Sequence, residues 1–114
     1  MFGITNHTRV FIRCGVTDGR LGWEGLKGIT VKAIQVDPMC GHLFVFCNRA
    51  RNRIKILWWD GTGFYLAAKR MRRGHFLFPQ NEDAVSKMSL QQLETLLKGV
   101  DFTDPAKGGG VRKR

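Results

Sequence analysis

A dense group of cationic side chains lies in the middle of the sequence. Residues 48–74 hold eight arginines and lysines but only one acidic residue, Asp60. A guanidinium group presents planar, paired N–H donors that match phosphate oxygens, and a lysine ammonium adds a compact positive charge. The group is therefore suited to binding phosphate, and we call it the cationic rim: Arg49, Arg51, Arg53, Lys55, Lys69, Arg70, Arg72 and Arg73.

The charge of the whole chain points the same way but is unevenly distributed. The 114 residues include 19 Lys and Arg against nine Asp and Glu, a net charge of +10. Such an excess adds self-repulsion to a folded domain and is commonly offset by a polyanionic partner. Residues 75–104 carry more acid than base, so Lys87 and Lys98 are expected to lie outside the rim. Nucleic acid is the favoured partner, and a merely solvated rim is the alternative.

Residue patterns for metal binding and catalysis are missing. Cys14, Cys40, His42 and Cys47 do not have the spacing of a common zinc module, so no metal is expected. Neither of the usual glycine-rich nucleotide loops is present. Carboxylates are too few in the first 80 residues to form the converging set that two-metal nucleotidyl transfer needs. The sequence predicts a protein that is not an enzyme and uses no cofactor or small-molecule substrate.

Length and composition favour one cytoplasmic domain. The chain has the size of a single domain, which we place at residues 1–104, followed by a flexible basic tail at 105–114. It has no apolar run long enough to cross a membrane and no secretory signal pattern at its start. Three cysteines at irregular spacing argue against a disulfide framework and for a reducing compartment.

The positioning elements follow from hydrophobic periodicity and turn signals. A short strand at 10–12 precedes a helix, capped by Thr17-Asp18 and ended by Asp37-Pro38. Ser89 and Gln92 have capping-box spacing for a C-terminal helix with a leucine stripe, and Gly99 follows as its cap. Between the helices, turn signals separate four strand-like runs. The predicted fold is α+β, an antiparallel β-meander of four to five strands with one helix before it, one C-terminal helix and a disordered basic tail. The four runs are Leu43–Asn48, Arg53–Trp59, Phe64–Lys69 and Phe76–Phe78.

A meander would bring distant parts of the rim together. The first and third connections of an antiparallel series lie at the same end of the sheet, so Arg49 and Arg51 should meet Arg72 and Arg73. Pairing through the turn at 60–63 also sets Arg53 opposite Arg70. Trp58 and Trp59 must point to opposite faces, and one of them should be core. Ordinary packing is one interpretation of Trp59, and stacking on a nucleobase is the other.

Two blocks of the sequence resemble a known family. The first runs Gly15-Val16-Thr17-Asp18-Gly19-Arg20-Leu21-Gly22-Trp23-Glu24-Gly25-Leu26, and the second includes Lys55-Ile56-Leu57-Trp58-Trp59-Asp60-Gly61-Thr62-Gly63. Together they are similar to the TnpB family, the small accessory proteins of insertion sequence 66 transposons in bacteria, over about residues 9–102. The chain departs from that pattern at Gly19, Leu21 and Trp23.

The resemblance implies a non-catalytic accessory protein for DNA transposition, encoded beside a larger, catalytic transposase. The expected partners are DNA, bound largely without sequence preference, and that transposase. The predicted nucleic-acid contacts are the eight residues of the cationic rim together with Trp59. The alternative is a protein–protein adaptor that docks on the transposase through the leucine stripe or an exposed tryptophan. The sequence does not distinguish RNA from DNA as the nucleic acid that is bound.

Overall fold

The computed structural model describes residues 2–81 and 85–101, and there the chain forms one five-stranded sheet flanked by helices. The α+β class predicted from the sequence is confirmed. The basic tail and the predicted domain end at residue 104 lie outside the described residues. The elements are β1 (Val10–Arg13), α1 (Trp23–Ile29) with a π-helical turn (Thr30–Ile34), β2 (Leu43–Cys47), β3 (Arg53–Trp59), β4 (Phe64–Arg70), β5 (Val85–Met88) and α2 (Leu90–Lys98).

Strands β2, β3 and β4 form the antiparallel meander that the turn signals predicted. Their bounds agree with the prediction to within one residue, and Arg53 pairs with Arg70 as expected. The turn between β3 and β4 is held by Asp60, whose carboxylate accepts the backbone N–H groups of Thr62 at 2.9 Å and Gly63 at 3.0 Å. These hydrogen bonds favour the charged carboxylate, so they lower the pKa of Asp60.

The sheet is mixed and not purely antiparallel, because β1 pairs with β2 in parallel. The strand order is β4-β3-β2-β1-β5, which places β1 and β2 in the interior. Every residue of β2 is buried. One face packs under α1 and its π-helical turn, and the other packs under α2, so both faces of the central strands are covered. Continuous apolar runs such as 43–47 are typical of strands buried on two faces.

The predicted fourth strand of the meander, Phe76–Phe78, is wrong. Phe76 and Phe78 are buried while Leu77 is exposed, but the segment does not pair with β4. The chain instead turns back after β4 and crosses the α2 face of the sheet, where the Pro79 carbonyl accepts the N–H of Gly15. An alternating apolar pattern fits a sheet strand and a segment with one face on the core equally well. The fifth strand comes from 85–88, which pairs with β1 on the opposite edge.

The first helix begins later than the sequence predicted. Its N-cap is Gly22, without a side-chain hydrogen bond, and not Thr17-Asp18. The Asp18 carboxylate is occupied by Arg20, which donates its backbone N–H at 2.9 Å, Nε at 3.0 Å and Nη2 at 2.9 Å. Hydrogen bonds from the Arg20 side chain, then from its backbone, lower the pKa of Asp18 to about 2. This local turn competes with helix capping, so residues 15–22 form a loop.

The C-terminal helix begins and ends as predicted. The Ser89 hydroxyl accepts the N–H of Gln92 at 3.1 Å, and the Gln92 side chain accepts the N–H of Ser89 at 2.9 Å. Gly99 follows the last turn with a φ of 67°. Leu93 is buried, and the remaining leucines of the stripe are partly buried against the same core. The leucine stripe is therefore core packing.

Candidate nucleic-acid interface

The structure places the two cationic connections side by side at one end of the sheet. The carbonyl of Arg51 accepts the N–H of Phe76, and the carbonyl of Asn52 accepts the N–H of Met71, each at 2.7 Å. The turn at 48–52 and the reversal at 71–76 are thus joined directly through their backbones. The prediction of this placement relied on a fourth strand at 76–78 that does not form. It holds nevertheless, because β4 finishes at the end of the sheet where the turn at 48–52 lies.

The turn at 48–52 is rigidly built and carries an unusual arginine. The Asn48 side-chain oxygen accepts the N–H groups of Asn52 and Arg53, both at 3.1 Å, and its amide donates to Asn52 Oδ1 at 2.8 Å. Arg51 closes this turn with a φ of 57°. That left-handed conformation normally favours glycine or asparagine, because a Cβ adds strain there. The chain therefore keeps an arginine at a position where backbone energetics favour glycine or asparagine.

Four arginines of the rim are exposed and unengaged. The side chains of Arg49, Arg70, Arg72 and Arg73 make no hydrogen bond or ion pair with any residue in 2–81 or 85–101. Within those ranges the structure shows an ion pair only between Arg20 and Asp18, away from this group. Like charges gathered at one end of a domain repel one another and lower the free energy of unfolding. The four arginines therefore concentrate positive charge at this end of the sheet.

Both lysines of the rim and Arg53 donate hydrogen bonds to backbone carbonyls within the fold. Lys55 Nζ donates to the Leu21 carbonyl at 2.7 Å, and Arg53 Nη1 reaches the Gly19 carbonyl at 3.5 Å. Both side chains are half-buried beneath the loop at 15–22, which they tie to the sheet. Lys69 Nζ donates to the carbonyl of Leu97, near the end of α2, at 2.6 Å. A cation in that place complements the negative end of a helix dipole.

Sequence reasoning missed Lys98, which lies beside the rim. An open depression of about 480 Å³ at this end of the molecule is lined by Arg72, Arg73 and Lys98, together with Gly99 and the buried Asp101. The expectation that Lys98 lies outside the rim is therefore wrong. It rested on the local excess of acid, whereas the position is set by a backbone bridge between His75 and Val100. The sequence signal closest to this placement was Gly99, which predicts that α2 ends directly after Lys98.

Trp59 lies away from the exposed arginines. Trp59 is the last residue of β3, whereas Arg53 is the first and lies at the end of the sheet that carries the exposed arginines. The full length of the strand therefore separates Trp59 from those arginines. The half-buried Trp59 ring meets Phe64 edge-on with ring centroids 5.0 Å apart. Trp23, which is 43% exposed, stacks on Phe64 with ring centroids 5.4 Å apart, and Lys27 Nζ lies 5.6 Å from the centroid of the Trp23 ring. Trp58 is the core tryptophan, and its indole N–H donates to the Phe2 carbonyl.

The cysteines and histidines are not assembled into a ligand set. Among the described residues there is no group of three or more Cys, His, Asp or Glu side chains that could hold a metal ion. Cys14 and Cys47 are buried in the core, and burial raises the pKa of Cys47 to about 11. His42 is used structurally, since its Nδ1 accepts the N–H of Arg9 at 3.0 Å. No helix in the described ranges has the length and apolar character needed to cross a membrane.

Comparison with known families decides the lineage of the chain. Residues 8–107 match the model of the IS66 Orf2-like proteins, the TnpB family of insertion sequence 66. The chain belongs to this family. An IS66 Orf2-like protein is a transposition-related accessory protein, and the family is not one of known catalysts. The resemblance expected from the two sequence blocks is confirmed.

The relatives of this IS66 Orf2-like protein are similar over nearly their whole length. One is the uncharacterized protein y4jC of Sinorhizobium fredii, 33% identical over 103 residues that cover 90% of this chain and 88% of the relative. Another is the uncharacterized protein y4hO of the same organism, 37% identical over 99 residues that cover 87% and 86%. No solved structure matches the chain significantly.

Proposed function

We propose that this IS66 Orf2-like protein binds DNA through the cationic rim and serves transposition as a non-catalytic accessory to the transposase. The observation that carries the proposal is the group of four exposed arginines at one end of the sheet. Two separate chain segments supply them, and none of the four forms an ion pair with a described residue. Arginine side chains presented in this way suit the paired oxygens of a phosphate backbone.

Phosphate binding of this kind gives affinity without much sequence preference. Contacts to the DNA backbone fix position and orientation, whereas base sequence is read by groups that enter a groove. The exposed arginines stand on turns and on the end of β4, and not along a helix that could lie in the major groove. We therefore expect similar affinity for transposon-end and unrelated duplexes of equal length.

The salt dependence of binding is the first test. If the rim contacts about five phosphates, the logarithm of the association constant should fall with the logarithm of salt at a slope of about −4 to −5. A mobility-shift or anisotropy titration of the purified chain, with transposon-end and random duplex at several salt concentrations, measures that slope. A slope near zero contradicts the proposal. An equal-length RNA duplex in the same series tests whether the proposal extends to RNA.

The adaptor role is the other outcome of the same experiment. It predicts association with the transposase that tolerates salt, together with negligible binding of DNA by the isolated chain. The leucine stripe of α2 cannot supply such a contact without unfolding, because Leu93 is buried and its neighbours pack on the same core. An adaptor would have to use another surface, and exposed Trp23 is the tryptophan that offers one.

Replacing Arg51 with glycine separates folding from binding. The left-handed φ of 57° is easier for glycine, so the free energy of unfolding should be unchanged or rise by up to about 1 kcal/mol. If the side chain contacts a phosphate, DNA affinity should nevertheless fall and the salt slope should lose about one unit. Urea unfolding and DNA titration of the Arg51→Gly variant give both numbers. Unchanged affinity in this stable variant would remove Arg51 from the interface.

A further inference from the structure

The outer strand β4 presents a long edge that no residue in 2–81 or 85–101 covers. It is the last strand on its side of the sheet, and all its residues except half-buried Phe64 are exposed. It runs for seven residues in unbroken register with β3, without a bulge or proline. Its centre, Leu66-Ala67-Ala68, carries no charge. Proteins normally protect such an edge with a charge, a proline or a bulge near its middle, because an open edge pairs with other strands.

The ladder fixes which backbone groups of β4 point outward. The Asp60 N–H bonds the Gly63 carbonyl on one side of the strand pair, and the Met71 N–H bonds the Asn52 carbonyl at the other end. Antiparallel ladders alternate between bonded and non-bonded pairs. Between these two fixed points, the odd-numbered residues of β4 therefore face β3. The N–H and C=O groups directed to solvent belong to Phe64, Leu66, Ala68 and Arg70.

This strand is complementary to itself when reversed. It starts with two aromatic residues, continues with three small or aliphatic ones and ends with two cations, Lys69 and Arg70. Two copies that run antiparallel about Ala67 place Phe64 of one against Arg70 of the other, and Leu66 against Ala68. In that register all four outward-directed residues of each copy face outward-directed residues of the other. A parallel pair would instead set Lys69 and Arg70 against the same charges.

We infer that β4 is a homodimer interface, in which a second copy of this chain continues the sheet antiparallel across a two-fold axis at Ala67. The arginine at each end then lies near an aromatic ring, an arrangement in which cation and ring attract. The exposed arginine clusters of the two copies fall at opposite ends of the paired strands, about 20 Å apart at about 3.3 Å per residue. That distance exceeds the screening length of about 8 Å at physiological salt, so the net positive charge of each chain does not prevent pairing.

The association state without DNA tests this inference independently of the DNA proposal. Sedimentation or light scattering should show a dimer whose fraction grows with protein concentration, because a single-strand interface is small and weak. Ala67→Lys and Ala67→Glu each place two like charges opposite one another at the axis. Both variants should remain monomeric at concentrations where wild type is dimeric. Val31→Lys and Val31→Glu are matched controls, since Val31 is 53% exposed on the π-helical turn, and they should dimerise normally.

A cysteine scan reads the register and does not depend on how well the charged variants fold. With Cys40 replaced by serine, Ala67→Cys should crosslink under mild oxidation, because a non-bonded pair on the axis brings the Cα atoms to about 4.5 Å. Ala68→Cys should not crosslink, since it faces Leu66 of the second copy. Crosslinking at 67 but not at 68 supports the inference. A monomeric wild type at all concentrations, dimers that survive both Ala67 charge variants, or equal crosslinking at both positions would overturn it.

Discussion

Replacing Gly74 with alanine is expected to lower the free energy of unfolding by about 3 kcal/mol. Gly74 has a φ of +73°, and a left-handed conformation costs a residue with a Cβ about 1–2 kcal/mol. A Cβ built there would lie 1.9 Å from the Val100 carbonyl oxygen, so backbone must move. The movement breaks the bridge in which His75 and Val100 exchange hydrogen bonds of 2.9 and 2.8 Å, each worth about 0.5–1.5 kcal/mol.

Gly28 provides the matched control for this substitution. It lies in α1, and a Cβ added there would meet nothing within 4 Å. Gly28→Ala should therefore raise the free energy of unfolding by up to about 1 kcal/mol, as helix propensity predicts. Urea unfolding of both variants and the wild type gives the comparison. Wild-type stability in Gly74→Ala would mean that the reversal after β4 does not approach residues 99–101 as closely as the structure shows.

Removing three rim arginines together is expected to reduce DNA affinity by roughly 500-fold at about 0.1 M salt. One phosphate contact at a slope of about 0.9 is worth about eightfold there, and the factors multiply when the contacts are independent. The variant replaces Arg49, Arg72 and Arg73 with alanine, and its salt slope should fall by about 2.7. These side chains are exposed and unbonded to described residues, so the free energy of unfolding should change little.

A second triple variant controls for the loss of net charge. Arg9, Lys32 and Lys87 are exposed elsewhere, and their replacement by alanine removes the same three positive charges. Long-range attraction alone should then weaken binding by less than about tenfold and leave the slope almost unchanged. Equal losses in the two triple variants would mean that the rim is only a solvated edge. Arg70 is left intact in both, so neither variant alters the proposed dimer strand.

The local elements could be predicted because their signals lie within a few residues of one another. The Asp60–Gly63 turn sets the register of β3 against β4, and the Ser89–Gln92 pair fixes the start of α2. Each depends on hydrogen bonds between near neighbours in sequence, which the residue types specify directly. Because β2, β3 and β4 alternate in direction, β2 and β4 finish at the same end of the sheet, so rim arginines meet there although the predicted fourth strand does not form.

The long-range features could not be predicted in the same way. Strand β5 is four residues long, and its burial pattern carries little hydrophobic signal. It is a strand because β1, near the other end of the chain, offers an open edge. Burial alternates along Phe76–Phe78 as it would in a strand, but the segment packs on the face of the sheet that α2 covers and does not pair with a strand. Lys98 reaches the rim only through that crossing segment. In each case tertiary pairing overrides a local pattern that favours another structure.

The position of β1 has a consequence for the order in which the protein folds. Strands β2, β3 and β4 are joined by short turns, so their pairing closes small loops and is expected to be fast. Strand β1 must wait for β5, which the ribosome delivers only after residues 85–88 have been made. Until then a strand with three consecutive apolar residues, Val10 to Ile12, has an unpaired edge, and unpaired strand edges in a nascent chain are prone to aggregation. The N-terminal strand, first to be synthesised, is among the last to be completed.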